Sequence, residues 1–253
     1  MKTNKHITMK TKHALCGLLS GLLLLAAGNQ APAALIGVNF GDTTPILPAE
    51  SAGVVPQINW NNVTTLSAGG LLDDTGSPTA AALSISGAFM NHFGTATAHP
   101  DEALNAGQLV QTSGSNFSWT LSGIPYALYN LYVYSLGITA GHVQGITLSG
   151  GPTYYTSAPN TSNTTGYFDN NSATPWIYTQ ATSTNSASPT LNSDYVKFTG
   201  LTASSLTVIT SSLNSNFRLN GGFQIEAVPE PGTALLLSIG CVGGATLRRR
   251  RRA

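Results

Sequence analysis

Residues 116–123 read NFSWTLSG and residues 130–134 read NLYVY, and these two stretches decide the fold class. Phe117, Trp119 and Leu121 alternate with Ser118, Thr120 and Ser122; Leu131 and Val133 alternate with Tyr132 and Tyr134. Successive side chains of a strand point to opposite faces, so a period of two marks a half-buried strand. The runs 195–198 (YVKF), 206–209 (LTVI) and 223–226 (FQIE) behave in the same way. Clusters of Gly, Asn, Ser and Pro separate them, which is the pattern of an antiparallel sandwich with polar outer faces. A disordered polar stalk would lack such alternation. The expected strands are 35–40, 56–59, 81–86, 116–122, 128–136, 143–149, 153–157, 194–199, 205–210 and 222–228. One short helix is expected over 101–109, where Asp101 can cap and Glu102 suits the positive helix start. The Ser/Thr/Asn-rich stretch 157–189 reads as long loops with a short strand around 176–179.

Charge separates this central region from both ends of the 253-residue chain. Nine of the 11 Lys and Arg residues lie in the first 33 or the last 26 residues, leaving Lys197 and Arg218 between them. Against these two bases stand nine acids, a net of −7, so nucleic acid is excluded as a partner on electrostatic grounds. Cys16 and Cys241 both belong to the ends, so the centre has no disulfide. About 195 residues remain, enough for one domain with a sizeable core.

Residues 1–33 have the three parts of a secretory signal peptide. Lys2, Lys5, Lys10 and Lys12 are the basic region, 15–27 the apolar region, and Ala31-Pro32-Ala33 the small residues before a cut at Ala34. Cys16 stands at the start of the apolar region, where lipidation does not occur. At the other end, 228–253 reads VPEPGTALLLSIGCVGGATLRRRRRA. Pro229 and Pro231 interrupt any helix, residues 233–247 are uncharged, and Arg248, Arg249, Arg250, Arg251 and Arg252 form a block of the kind held on the cytoplasmic side. The apolar run is short of the roughly 20 residues that span a bilayer, so contact with the inner membrane is expected to be transient. Pro229-Glu230-Pro231, the apolar run and the arginines together resemble the PEP-CTERM sorting signal of Gram-negative bacteria. The resemblance implies export by the general secretion machinery, recognition by an exosortase, cleavage near the Pro-Glu-Pro triplet, and delivery to the cell surface or extracellular polymer.

The body, 34–227, carries a second resemblance. Its opening IGVNFG (36–41), the Trp60-Asn61-Asn62 element, the 128–134 strand and the closing NGGFQI (220–225) are similar to the galactose-binding-like jelly rolls of exported bacterial proteins. The fold this implies is a single β-sandwich with first and last strands close together; fold alone does not assign function.

Candidate sites follow from side-chain chemistry. Trp60, in a polar context beside Asn61 and Asn62, and Trp176, after Pro175, offer flat faces for sugar rings, with amides to read hydroxyls; packing beneath loops is the competing role. Trp119 falls on the apolar face of its strand and reads as core, and Tyr154-Tyr155 and Tyr167-Phe168 are further aromatic candidates. Asp73 and Asp74, with Asp42, are candidate oxygen ligands for Ca²⁺, although Asp-Gly turn chemistry accounts for the same residues. His92, His99, Asp101 and Glu102 fit no helical metal motif and read as loop residues. No carboxylate pair, G-x-S-x-G elbow or phosphate-binding glycine loop is present, so no cofactor is expected. The expectation is an exported, non-enzymatic β-sandwich associated with carbohydrate or exopolysaccharide. A structural surface protein without a ligand, or a polysaccharide hydrolase or lyase, are the alternatives. Exposed aromatics would favour the first, and their burial the second.

Overall fold

The computed structural model describes residues 34–41, 45–92, 100–135, 141–158 and 177–229. Ala34–Val228 forms one compact unit. The expected signal peptide, the expected C-terminal apolar helix with its arginines, Asp42, His99, Tyr167, Phe168, Asp169 and Trp176 lie outside the described residues.

Among the described residues three sheets build the body. The first has the order β11 (Gln180–Ala181), β13 (Tyr195–Leu201), β8 (Tyr129–Tyr134), β16 (Gly222–Ala227), β1 (Leu35–Phe40), β2 (Asn61–Val63). The second runs β12 (Thr190–Leu191), β10 (Thr153–Ser157), β9 (Val143–Leu148), β14 (Ser205–Ser212), β7 (Phe117–Ser122), β4 (Ala82–Ser86), β3 (Ser67–Gly69). A small third sheet joins β15 (Arg218–Asn220), β6 (Gly107–Gln111) and β5 (Phe89–His92). The long neighbours pair antiparallel, while β2, β11 and β12 add parallel edges. The architecture is all-β and sandwich-like.

Alternation determines what lies between the two large sheets. Leu131 and Val133 of β8, with Phe223 and Ile225 of β16, face Trp119 and Leu121 of β7 and Val208 of β14 in one apolar cluster. The Trp119 indole stacks on Phe223 from the opposite sheet, centroids 4.5 Å apart and planes 14° apart, and donates from Nε1 to Asn220 Oδ1 at 3.2 Å. Burial of an aromatic of this size removes the largest share of apolar surface from water, and the indole N–H still finds its acceptor.

Three expectations need correction. Residues 56–59 form no strand: Asn59 adopts φ 55°, Gln57 makes a single bridge to Ala52, and the strand begins only at Asn61. The helix, α1, spans Pro100–Ala106, and the chain turns at Gly107 into β6, where Leu109 and Val110 are fully buried. The outer face of the first sheet is also not a solvated polar face. Tyr132 and Tyr134, opposite Leu131 and Val133, are buried in a second apolar cluster with Ile46, Trp60, Leu104 and Tyr195. A strap of residues 45–60 and helix α1 supply that cover.

Candidate functional site

The strap is held by side chains that rise from the outer face of the first sheet. Gln224, on β16 between the inward Phe223 and Ile225, donates from Nε2 to Val55 O (2.7 Å) and Gln57 Oε1 (3.0 Å). Its Oε1 accepts the hydroxyl of Tyr134, and that hydroxyl in turn accepts the Val54 N–H at 2.8 Å. Gln57 packs over β1: a Cβ built at Gly37 would stand 2.6 Å from its Nε2, so a larger residue there would have to push the amide aside. Gly222 is required outright, since its Cβ would meet the backbone oxygen of Val38 at 2.2 Å. The closing NGGFQI run thus has a physical task at each end: Asn220 receives Trp119 and Thr210, and Gln224 ties down the strap.

Trp60 therefore offers no exposed face. It is 5% exposed, its ring meets Tyr134 with centroids 6.4 Å apart, and its Nε1 donates to Gln57 O at 3.1 Å. Asn61 and Asn62 are engaged as well, each acting as a surrogate strand partner. The Asn61 amide donates to Leu72 O and accepts Leu72 N–H, both at 2.8 Å. The Asn62 amide does the same for Ile46, both at 2.9 Å. These bonds satisfy backbone groups of loops that no sheet reaches. The sugar-reading role expected of Trp60, Asn61 and Asn62 gives way to a structural one, for which the sequence holds no periodic signal.

The acids are similarly engaged. Asp73 Oδ1 accepts Thr75 N–H (2.9 Å), Thr75 Oγ1 (2.6 Å) and Ser77 N–H (3.0 Å). Burial alone would raise its carboxyl pKa, but those bonds outweigh it and hold the group below the usual range. Asp74 Oδ1 accepts Leu35 N–H at 3.1 Å, fastening the turn to the first strand. Among the described residues no group of three His, Cys, Asp or Glu is placed to hold a metal. Asp101, expected to cap the helix or to lie in a loop, is instead buried, as is Asp194, which the sequence did not single out. Asp101 Oδ1 accepts Gly53 N–H and the Tyr178 hydroxyl, both at 2.8 Å, and Asp194 Oδ2 accepts Thr179 N–H at 2.8 Å. Burial, with Tyr134 and Asp101 next to it, raises the Tyr178 phenol well above its ordinary pKa, so it stays a donor.

The outer face of the second sheet is built differently. None of its seven strands contains a charged residue. The outward positions of β4, β7 and β14 are Ser, Thr, Ala or Ile throughout, and Ser84, Ser86, Ser122 and Ser205 are exposed. Tyr154 points inward and meets Phe198 edge-on at 5.4 Å, whereas Tyr155 is half-buried on the outward side. No family model matches the chain, and no curated protein matches it either.

Proposed function

We propose that this chain is an exported, non-enzymatic protein of the cell surface or extracellular polymer. Residues 1–33 act as its signal peptide, and 228–253 as a PEP-CTERM sorting signal passed to an exosortase after transient contact with the inner membrane. One observation carries the reading: the two ends of the body meet. The Ala227 N–H donates to Ala34 O at 2.9 Å, and Leu35 stands opposite Glu226 on neighbouring strands. The first strand begins one residue after the expected signal-peptide cut, and the last ends just before Val228-Pro229. A sandwich closed at its own ends needs neither segment for its core, which suits a protein whose two ends are removed. The adjacency of first and last strands also favours the galactose-binding-like jelly roll as the finer description of the body.

Within that reading the body is a structural or matrix-associated module in which Trp60 is not a sugar platform. Trp60 and Trp119 are buried, and the Asn61 and Asn62 amides hold backbone. Mass spectrometry of the culture medium from an exosortase-bearing Gram-negative host tests the proposal. The expected species starts at or near Ala34, ends near Pro229 to Pro231, and lacks the arginine block. An intact C-terminal peptide in the medium would refute the sorting reading.

A further inference from the structure

We infer that the outer face of the second sheet is a contact surface for neutral polysaccharide, an inference that rests on delivery of the body to the extracellular polymer. Its basis is the row of hydroxyls that the strand registers place side by side. Ser84 stands opposite Thr120, and Thr120 opposite Thr207, on three consecutive strands. The Thr120 and Thr207 hydroxyls are 2.8 Å apart, and those of Thr147 and Thr153, on the next pair of strands, are 2.7 Å apart. In each pair one hydroxyl donates to the other, leaving one O–H and the remaining lone pairs for a ligand. Each pair holds its two oxygens together before any ligand arrives, which lowers the entropy cost of binding.

Charge and apolar content select the occupant. Solvated surfaces of small domains commonly carry about 25–35% charged residues, and this sheet carries none. An anionic polymer would seek cations, but the body's two, Lys197 and Arg218, belong to the first and third sheets. A second copy stacked on this face would bury mainly serine and threonine, with little of the apolar surface that drives stable association. A neutral glycan presents hydroxyls in a repeating series and needs no counter-charge. Each contact is weak, and repetition along a polymer makes the sum effective.

Retention on insoluble polysaccharide tests this. The full chain, held in mild detergent where the host retains it, is applied to microcrystalline cellulose and cross-linked dextran, with alginate gel as the anionic comparison. Retention on a neutral polymer, unchanged in about 1 M salt, is expected. The Thr120→Val/Thr207→Val double variant keeps shape and strand preference while deleting two hydroxyls, and should bind about tenfold more weakly at unaltered melting temperature. Ser84→Lys/Ser122→Lys, at exposed positions, should weaken retention similarly, and it decides the matter should the valine pair fail to fold. Equal retention of wild type and folded variants overturns the face while leaving the delivery reading intact. Retention on alginate alone, on no polymer, or a wild-type dimer that the lysine pair dissociates overturns it too. Delivery itself is judged separately by the processed ends in the medium.

Discussion

Trp60 shows how a residue's chemistry underdetermines its role. A tryptophan between Asn59 and Asn61 has the composition of a sugar platform, yet its ring packs down from the strap against Tyr134. Truncating a buried aromatic of this size costs about 3–5 kcal/mol. Trp60→Ala should therefore lower the denaturation midpoint substantially, and an unchanged midpoint in chemical denaturation would return the ring to the surface. His142 gives a residue-scale prediction in pH. It is 2% exposed, with Nε2 3.0 Å from Ser212 Oγ. Burial pushes its pKa down to about 4 from 6.5, the Arg218 guanidinium adds to the drop, and the Phe217 backbone opposes it. Between those values the unfolded chain binds a proton that the folded one refuses, so stability falls as pH falls from about 6.5 to 4 and the loss then levels off. The shift corresponds to about 3 kcal/mol. Comparing wild type with His142→Gln by urea denaturation across that window isolates it from the carboxylates, Asp73 included, because both proteins share them. A stability difference that does not vary with pH would show that His142 is protonated alike in both states.

At the scale of elements, what was legible depended on length and on which neighbour sets the pattern. β7, β8, β14 and β16 each bury alternate residues against the opposite sheet, so their period of two is written in sequence and found within two residues at either end. β2 and β3 are three residues long, too short for any period, and exist because β1 and β4 offer open edges. β6 follows helix α1 directly, and its first residue, Gly107, is the one mark in composition of the change from helix to strand. The strap was hidden for a different reason. Its hold on the first sheet is made by polar side chains of residues distant in sequence, and no local pattern encodes such pairings. Gln224 is the strongest of these ties, bonded to Val55 O, Gln57 Oε1 and the Tyr134 hydroxyl. Gln224→Ala leaves those buried groups unpaired, at about 1–3 kcal/mol for each that finds no water. The expected result is faster amide exchange confined to residues 45–60, with protection of β7 and β14 retained. Uniform loss of protection across both sheets would mean that strap and sandwich unfold as one unit.

The whole molecule is two charge regimes joined at one place. Ala34 and Ala227 are hydrogen-bonded neighbours, so the chain enters and leaves the body at the same end of two adjoining inner strands of the first sheet. Those departing segments hold nine of the 11 bases and only one of the ten acids, Glu230. The full chain has a sequence pI near 7.8, whereas the body alone carries two bases against nine acids. Export and sorting would thus convert a nearly neutral precursor into an acidic protein, and net charge away from zero keeps such a protein dispersed. The seven uncharged strands of the second sheet make the distribution uneven: the body's described acids lie in loops, in helix α1 and on the first sheet, and none on a strand of the second. A neutral polymer could then lie along one face while the remaining surface repels other copies. Isoelectric focusing of the protein recovered from the medium should give a band well below neutrality, with the precursor from a host lacking exosortase focusing nearer the full-chain value. Loss of the signal peptide alone removes four lysines and leaves the five arginines, so a band at an intermediate position would mean that the first cut occurs and the second does not. A released protein focusing near 7.8 would mean that neither end is removed, and the separation of a basic, transient address from an acidic, lasting body would fail with it.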